Sequence, residues 1–284
     1  MKKCGFIAVI GDTNAGKSTL INRLTGQKVS IVSRKVQTTS SRILGIAIFE
    51  ESQVIFIDTP GFSEKKNGGS LERIAQDAFR ESENILFVVD SKRKNFDANI
   101  ALLNKIGGGK KISLALNKID LIHKPRLLEI ARTFSEAVHF ENIFMVSGLT
   151  GDGVDEMANR LARSVPEGDW IYEEDVFTDM PFEKYVAEIT REHIYHRVHQ
   201  EVPYRCVTET ESCQNLPDGS VKIVQNIRVQ TRAHKIILVG HGGEKIKAVG
   251  KASGAELSSL LDRKVHLFLH VLIDENAAKN KSSD

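Results

Sequence analysis

Nine residues, Gly11-Asp12-Thr13-Asn14-Ala15-Gly16-Lys17-Ser18-Thr19, separate the apolar run Phe6 to Ile10 from a stretch of helical period that begins at Ser18. The pattern G-x-x-x-x-G-K-S between a strand and a helix constrains this chain more than any other feature it carries. Its glycines let the backbone wrap a chain of phosphates with several N–H groups pointing inward, and the helix N-terminus adds positive potential. Lys17 reaches the outer phosphates, and the Ser18 hydroxyl is placed to hold Mg2+. All nine residues are candidates for nucleotide binding. Lys17 is also a catalytic candidate, because phosphoryl transfer is governed by positioning and charge stabilisation.

Downstream, the short β-rich runs ILGIAIF, VIFID, ILFVV, ISLALN and IFMVS alternate with segments of helical period such as 71–80 and 154–163. That alternation specifies an α/β sheet with helices on both faces. ILGIAIFE and QVIFIDT lie too close together for a crossover helix, so they should pair as an antiparallel hairpin in a mixed, mostly parallel sheet. At 284 residues the chain exceeds the roughly 100 to 200 residues of one domain. The pattern breaks at Val165-Pro166-Glu167-Gly168-Asp169, and an acidic stretch without period runs on to Pro181. We expect a first domain over 1–167, a linker over 168–181 and a second domain over 182–284 that ends in a short polar tail.

Hydrophobic residues at 41% and charged residues at 27% are close to the globular average and exclude a disordered or fibrous chain. No apolar run approaches the roughly 18 residues of a membrane span, and the apolar part of MKKCGFIAVIGD is too short for a signal peptide. The chain is therefore expected in the cytoplasm, without a transmembrane segment. Cys4, Cys206 and Cys213 have no C-x-x-C spacing and are expected to stay reduced.

Three further strand ends carry chemistry. Asp58-Thr59-Pro60-Gly61 follows VIFI, so Asp58 can bind Mg2+ through water and the Gly61 N–H can sense the outermost phosphate. Asn117-Lys118-Ile119-Asp120 follows Ile112 to Leu116, and a carboxylate at Asp120 can accept from both N1–H and the 2-amino group of guanine. Adenine offers neither donor. Two charge-assisted hydrogen bonds favour guanine by roughly 10² to 10⁴, which selects GTP and GDP. Ser147-Gly148-Leu149 ends another strand and offers a backbone N–H to the guanine O6.

In the second half a helix from Phe182 is followed by two strand-like runs, 205–211 and 220–230, joined by Leu216-Pro217-Asp218-Gly219. Two helical stretches interrupted by glycines and the run KVHLFLHVLI complete it. Residues 168–284 hold 15 basic and 18 acidic side chains, net −3, yet Arg228, Arg232, Lys235, Lys245, Lys247 and Lys251 meet only Glu244 across 228–251, a local +5. Within that basic stretch Gly240-His241-Gly242-Gly243 is a G-x-x-G between helices and resembles a KH domain, which clamps about four nucleotides of single-stranded RNA. The glycines allow close approach of an RNA backbone, Lys245, Lys247 and Lys251 can meet phosphates, and Ile236, Ile237 and Ile246 can line a base groove.

The segments GDTNAGKST, QTTSSR, DTPGF, NKID and SGLTGDGVDE, together with GQKVSIVSRKVQTTS and GGEKIKAVG, resemble the Era family of GTPases from about Gly5 to Val271. The resemblance implies a P-loop GTPase domain followed by an α+β type II KH domain. It implies hydrolysis of GTP to GDP with Thr39 and Gly61 joining Lys17 as catalytic candidates, and Mg2+ held by Ser18, Thr39 (favoured over Thr38) and Asp58. Asn14 matches a family position associated with K+. Phe62 stands where many GTPases have a glutamine; it cannot donate to or accept from the attacking water, so slow intrinsic hydrolysis is expected. Implied partners are small-subunit ribosomal RNA near its 3′ end and the 30S precursor, bound by a monomer that assists assembly in the cytoplasm or peripherally at the inner face of the cell membrane. The alternative is a membrane-associated cell-cycle checkpoint GTPase for which RNA is secondary. Ser40 and Ser41 follow where the family usually has a basic residue. His241 replaces a common lysine, which implies weaker or pH-sensitive RNA binding.

Overall fold

The computed structural model describes residues 1–32, 42–61, 77–106, 109–198 and 201–274, which divide into two compact units, Met1–Asp179 and Met180–Asp284. In chain order the first holds β1 (Lys3–Gly11), α1 (Lys17–Thr25), β2 (Ile43–Phe49), β3 (Ser52–Asp58), β4 (Asn84–Asp90), α2 (Asp97–Ile106), β5 (Lys111–Asn117), α3 (Lys124–Ala137), β6 (Asn142–Val146) and α4 (Val154–Ser164). The strands form a six-stranded sheet ordered β2-β3-β1-β4-β5-β6. β2 runs antiparallel to β3, and the other pairs are parallel, as the short hairpin connection requires.

Both faces of this sheet are covered, which is why its strands read as unbroken apolar runs. Ile7 and Val9 of β1 join a core with Leu20 and Ile21 of α1 and Met157 and Leu161 of α4. Ala8 and Ile10 face the opposite core, with Leu103 of α2 and Ile130 and Phe134 of α3. Because β1, β3, β4, β5 and β6 point the same way, their C-terminal ends open onto one edge, where ligands of α/β sheets bind. Gly11, Asp58, Asp90, Asn117 and Val146 are the residues at those ends.

The stretch expected as a linker over 168–181 lies in the first unit as far as Asp179. Fully buried Gln53 accepts from the amides of Ile171 (2.9 Å) and Tyr172 (3.0 Å) and donates to the Tyr172 carbonyl (2.8 Å). The Ile46 amide of β2 donates to the Phe177 carbonyl at 2.9 Å, and Trp170, Tyr172 and Val176 pack on the core. A segment without a period of its own satisfies its backbone on a buried amide side chain and on the edge strand.

The second unit contains α5 (Phe182–Arg197), β7 (Cys206–Asn215), β8 (Val221–Val229), α6 (Arg232–Val239), α7 (Glu244–Leu260) and β9 (Val265–Ile273). β7 and β8 form an antiparallel hairpin, closed at Leu216–Gly219 by the Gly219 amide on the Leu216 carbonyl at 3.0 Å. β9 returns parallel to β8 through the two helices. The succession helix, strand, strand, helix, G-x-x-G, helix, strand is the one anticipated. β7 runs four residues past the expected end at Glu211, because an irregularity between Thr210 and Ser212 breaks the alternation while pairing resumes beyond it. Ile194, Val198, Ile227, Val229, Leu238 and Val249 form the core of this unit. Among the described residues no helix is long and apolar enough to cross a membrane.

Candidate functional site

The cradle closes at Gly16, which caps α1 with φ 92°. An added Cβ there would lie 2.4 Å from Asn117 Nδ2, so both the backbone and its neighbour require glycine. The first turn of α1 carries no acidic residue, which leaves its positive end open to an anion. Lys17 Nζ donates to the carbonyls of Gly11 (3.0 Å) and Asp12 (2.8 Å). Burial pushes this amine down to about 8, with the charges of Asp58 and Asp12 acting against the fall. A phosphate would supply the counter-charge that burial has withheld.

Ser18 Oγ donates to Asp58 Oδ2 at 2.8 Å, which brings two of the Mg2+ candidates together as a hydroxyl and a carboxylate, the oxygen ligands that suit this ion. Beyond Asp58 the chain is tied back by Thr59 Oγ1 to the Val9 carbonyl at 2.8 Å. Gly61 then presses on the cradle: a Cβ would lie 2.6 Å from both N and Cα of Thr13. Thr38, Thr39, Ser40, Ser41 and Phe62 lie outside the described residues.

Asn117, only 2% exposed, joins three segments. Its Nδ2 donates to the Ala15 carbonyl at 2.8 Å, and its Oδ1 accepts from the amides of Gly148 at 2.9 Å and Lys118 at 2.8 Å. Since the Gly148 N–H is taken, the donor left for a guanine O6 in Ser147-Gly148-Leu149 is the Leu149 amide. Ser147 Oγ donates to Asp120 Oδ1 at 2.6 Å and accepts the Thr150 amide at 3.1 Å, so Ser147 orients the carboxylate expected to meet the base. Lys118, held at φ 67°, donates to the Asn14 carbonyl and to Asp90 Oδ2, each at 2.6 Å.

Two contributors were not singled out from the sequence. Asp90 stands at a strand end on the same edge as Asp58 and Asn117, a positional signal that could have found it. Arg23 of α1 donates to the carbonyls of Gly148 (3.4 Å) and Leu149 (2.5 Å); nothing in its local sequence marks it.

In the second unit the G-x-x-G turns between α6 and α7 through Gly240 (φ 76°), Gly242 (57°) and Gly243 (81°). Gly243 caps the 17-residue α7, so the loop delivers the positive end of a long helix. His241, Lys247 and Lys251 are exposed and Lys245 is half-buried. Ile236 is 64% exposed, whereas Ile237 and Ile246 pack against the core. A groove of about 410 Å³ runs between α7 and β9, with Lys251 on its lining beside Gly250, Gly254, Leu267 and Phe268. Gly250 and Gly254, four apart on α7, were not chosen from the sequence. Their lack of side chains lets α7 lie close on β9: a Cβ would stand 3.5 Å from Leu269 at Gly250 and 3.7 Å from Leu267 at Gly254.

A family model described as 50S ribosome-binding GTPase matches residues 6–118, and a KH domain model matches 201–277. The chain is 44% identical over 277 residues to GTPase Era of Sinorhizobium medicae, covering 96% of this chain and 89% of that protein. It is 40% identical over 296 residues to GTPase Era of Caulobacter vibrioides, covering 98% and 94%. Its structure is similar, at a TM-score of 0.86 and 32% identity, to a single-substitution variant of Aquifex aeolicus Era bound to GDP and AlF4−, with 98% of each chain covered. The same TM-score and identity hold for Era in complex with MgGDPNP and nucleotides 1506–1542 of 16S ribosomal RNA, covering 99% and 97%. Matched over nearly its whole length by these relatives and carrying both a GTPase domain and a KH domain, this protein belongs to the Era family of GTPases.

Proposed function

We propose that the chain binds GTP across Gly11–Thr19, Asp58, Gly61, Asn117, Lys118, Asp120 and 147–149, hydrolyses it to GDP, and uses its second unit to hold small-subunit ribosomal RNA near the 3′ end during assembly of that subunit. Asn117 is the observation that carries the nucleotide half: it bonds the cradle at Ala15 and the base-reading segment at Gly148, so phosphate and guanine are read in one geometry. Asp120 accepts from guanine N1–H and the 2-amino group, and the Leu149 amide donates to O6. Lys17 neutralises the outer phosphates. Mg2+, when bound, spreads phosphate charge, and Ser18, Asp58 and Thr39 would hold it. We assign K+ to Asn14, and slow unassisted turnover to Phe62.

For the RNA half, the support is the glycine turn, the α7 N-terminus it caps and the groove farther along α7, together with the 16S ribosomal RNA fragment bound by a relative that matches both units. The residues assigned to RNA are Ile236, Ile237, Gly240, His241, Gly242, Gly243, Lys245, Ile246, Lys247 and Lys251. We assign the GTPase machinery to 1–167 and RNA binding to 182–284, joined by 168–181, a stretch that packs with the first unit as far as Asp179, and we place the protein in the cytoplasm as a monomer acting on the 30S precursor. No observation favours the membrane-checkpoint reading.

The nucleotide reading is tested by displacing fluorescent GDP with GTP and with ATP. GTP should win by at least 100-fold, and Asp120→Asn, which converts one acceptor into a donor, should shift preference toward xanthosine nucleotides. Equal displacement by ATP overturns it. Crosslinking to RNA followed by sequencing, with GDP and with a non-hydrolysable GTP analogue, tests the other half.

A further inference from the structure

A carboxylate is an unexpected second residue in a loop whose amides collect phosphates, and Asp12 occupies that place. Its side chain, 10% exposed, is held from outside the cradle: Oδ2 accepts from Asn99 Nδ2 at 2.8 Å and pairs with Arg93 Nη1 at 2.8 Å. Its carbonyl accepts from inside, from Lys17 Nζ at 2.8 Å and the Ala15 amide at 3.3 Å. Asn99, 1% exposed, lies in the first turn of α2. Arg93 lies in the β4–α2 loop, whose turn is set by Asp90: the Arg93 amide donates to the Asp90 carbonyl at 3.1 Å and the Lys92 amide to Asp90 Oδ1 at 2.9 Å. Asp90 Oδ2 in turn takes Lys118 Nζ. The β4–α2 loop therefore grips the cradle at Asp12 and the base-reading segment at Lys118.

We propose that Arg93 and Asn99 are positioning residues for the nucleotide site, acting through Asp12, and that Arg93 neutralises a carboxylate that would otherwise repel the triphosphate. The proposal rests on the reading of Gly11–Thr19 as the phosphate site. Without Arg93 an uncompensated carboxylate stays in the phosphate loop, and because the Arg93 side chain is itself 40% exposed the like-charge repulsion is partly screened and should weaken binding by roughly tenfold. Asn99 supplies geometry without charge, and its loss costs roughly fivefold.

The experiment is titration of fluorescent GDP into the full chain and its variants, with thermal melts of each in the absence of nucleotide. Arg93→Ala and Arg93→Gln, the second keeping a donor and losing only the charge, should each raise the GDP Kd roughly tenfold and the KM for GTP similarly, with kcat nearly unchanged at saturation. Asp12→Asn in the Arg93→Ala background should bring Kd back to within about threefold of wild type, because the offending charge is gone. A purely structural tie predicts a double variant as weak as the single one, and that result overturns the proposal, as does a wild-type Kd for Arg93→Gln. Should Arg93→Ala not fold, the Arg93→Gln and Asp12→Asn/Arg93→Gln pair gives the same comparison. Wild-type protein that binds no GDP defeats the underlying reading; wild-type binding with indifferent Arg93 variants defeats this inference alone.

Discussion

Replacing Asn117 with alanine removes the donor to the Ala15 carbonyl at 2.8 Å and the acceptor of the Gly148 and Lys118 amides at 2.9 and 2.8 Å. At about 1 kcal/mol net for each hydrogen bond the loss is about 3 kcal/mol, with a further 1 to 3 kcal/mol where a buried amide is left unpaired. The three bonds join segments that the nucleotide needs in register at once, so most of that energy should be drawn from binding: the GDP Kd should rise by roughly 100-fold or more. Asn117→Asp sharpens the reasoning. It keeps an acceptor for both amides but turns a carboxylate oxygen toward the Ala15 carbonyl, so it should bind GDP no better than Asn117→Ala while its ligand-free melting temperature falls less. Calorimetric titration with GDP and a melt without it measure the two effects separately. A Kd within threefold of wild type for both variants would refute the view that Asn117 couples phosphate reading to base reading.

Lys17 and Gly61 give two further tests. The folded Lys17 amine titrates near 8 and the unfolded one near 10.5. Below pH 8 both states are protonated and the burial penalty is fully present. Between pH 8 and 10.5 only the unfolded state holds the proton, so ligand-free stability should rise by up to about 3 kcal/mol across that window. Lys17→Met should show no such rise in chemical denaturation, and parallel pH profiles for the two proteins would count against the assignment. Gly61→Ala forces a methyl to 2.6 Å from the Thr13 backbone, an overpacking of roughly 1 to 3 kcal/mol. GTP turnover should drop at least tenfold, and a turnover equal to wild type would show that Gly61 does not report on the cradle.

What could be read from the residues follows the range of the interactions involved. Gly16, Lys17 and Ser18 act through local backbone geometry, so a nine-residue pattern sufficed. The β2–β3 hairpin followed from the shortness of its connection, and the G-x-x-G from its place between two helical stretches. Asp120 was chosen because guanine dictates the chemistry its reader must have, and Ser147 as the side chain that orients it was hidden, since 27 residues separate them. Arg23, Arg93 and Asn99 carry no local signature and acquire their roles only where the sheet brings strand ends together. The docking of 170–177 was likewise hidden. It depends on Gln53, a polar residue inside an apolar strand whose partners are 118 and 119 positions away.

That docking has a practical consequence. β2 is the rim of the six-stranded sheet, and an uncovered rim is a template on which a second polypeptide can zip. The Ile46 amide is occupied by Phe177, so the tail of the first unit serves as a stopper. A fragment cut after residue 167 would expose this seam and should oligomerise on storage, whereas one cut after 179 would carry its own seal.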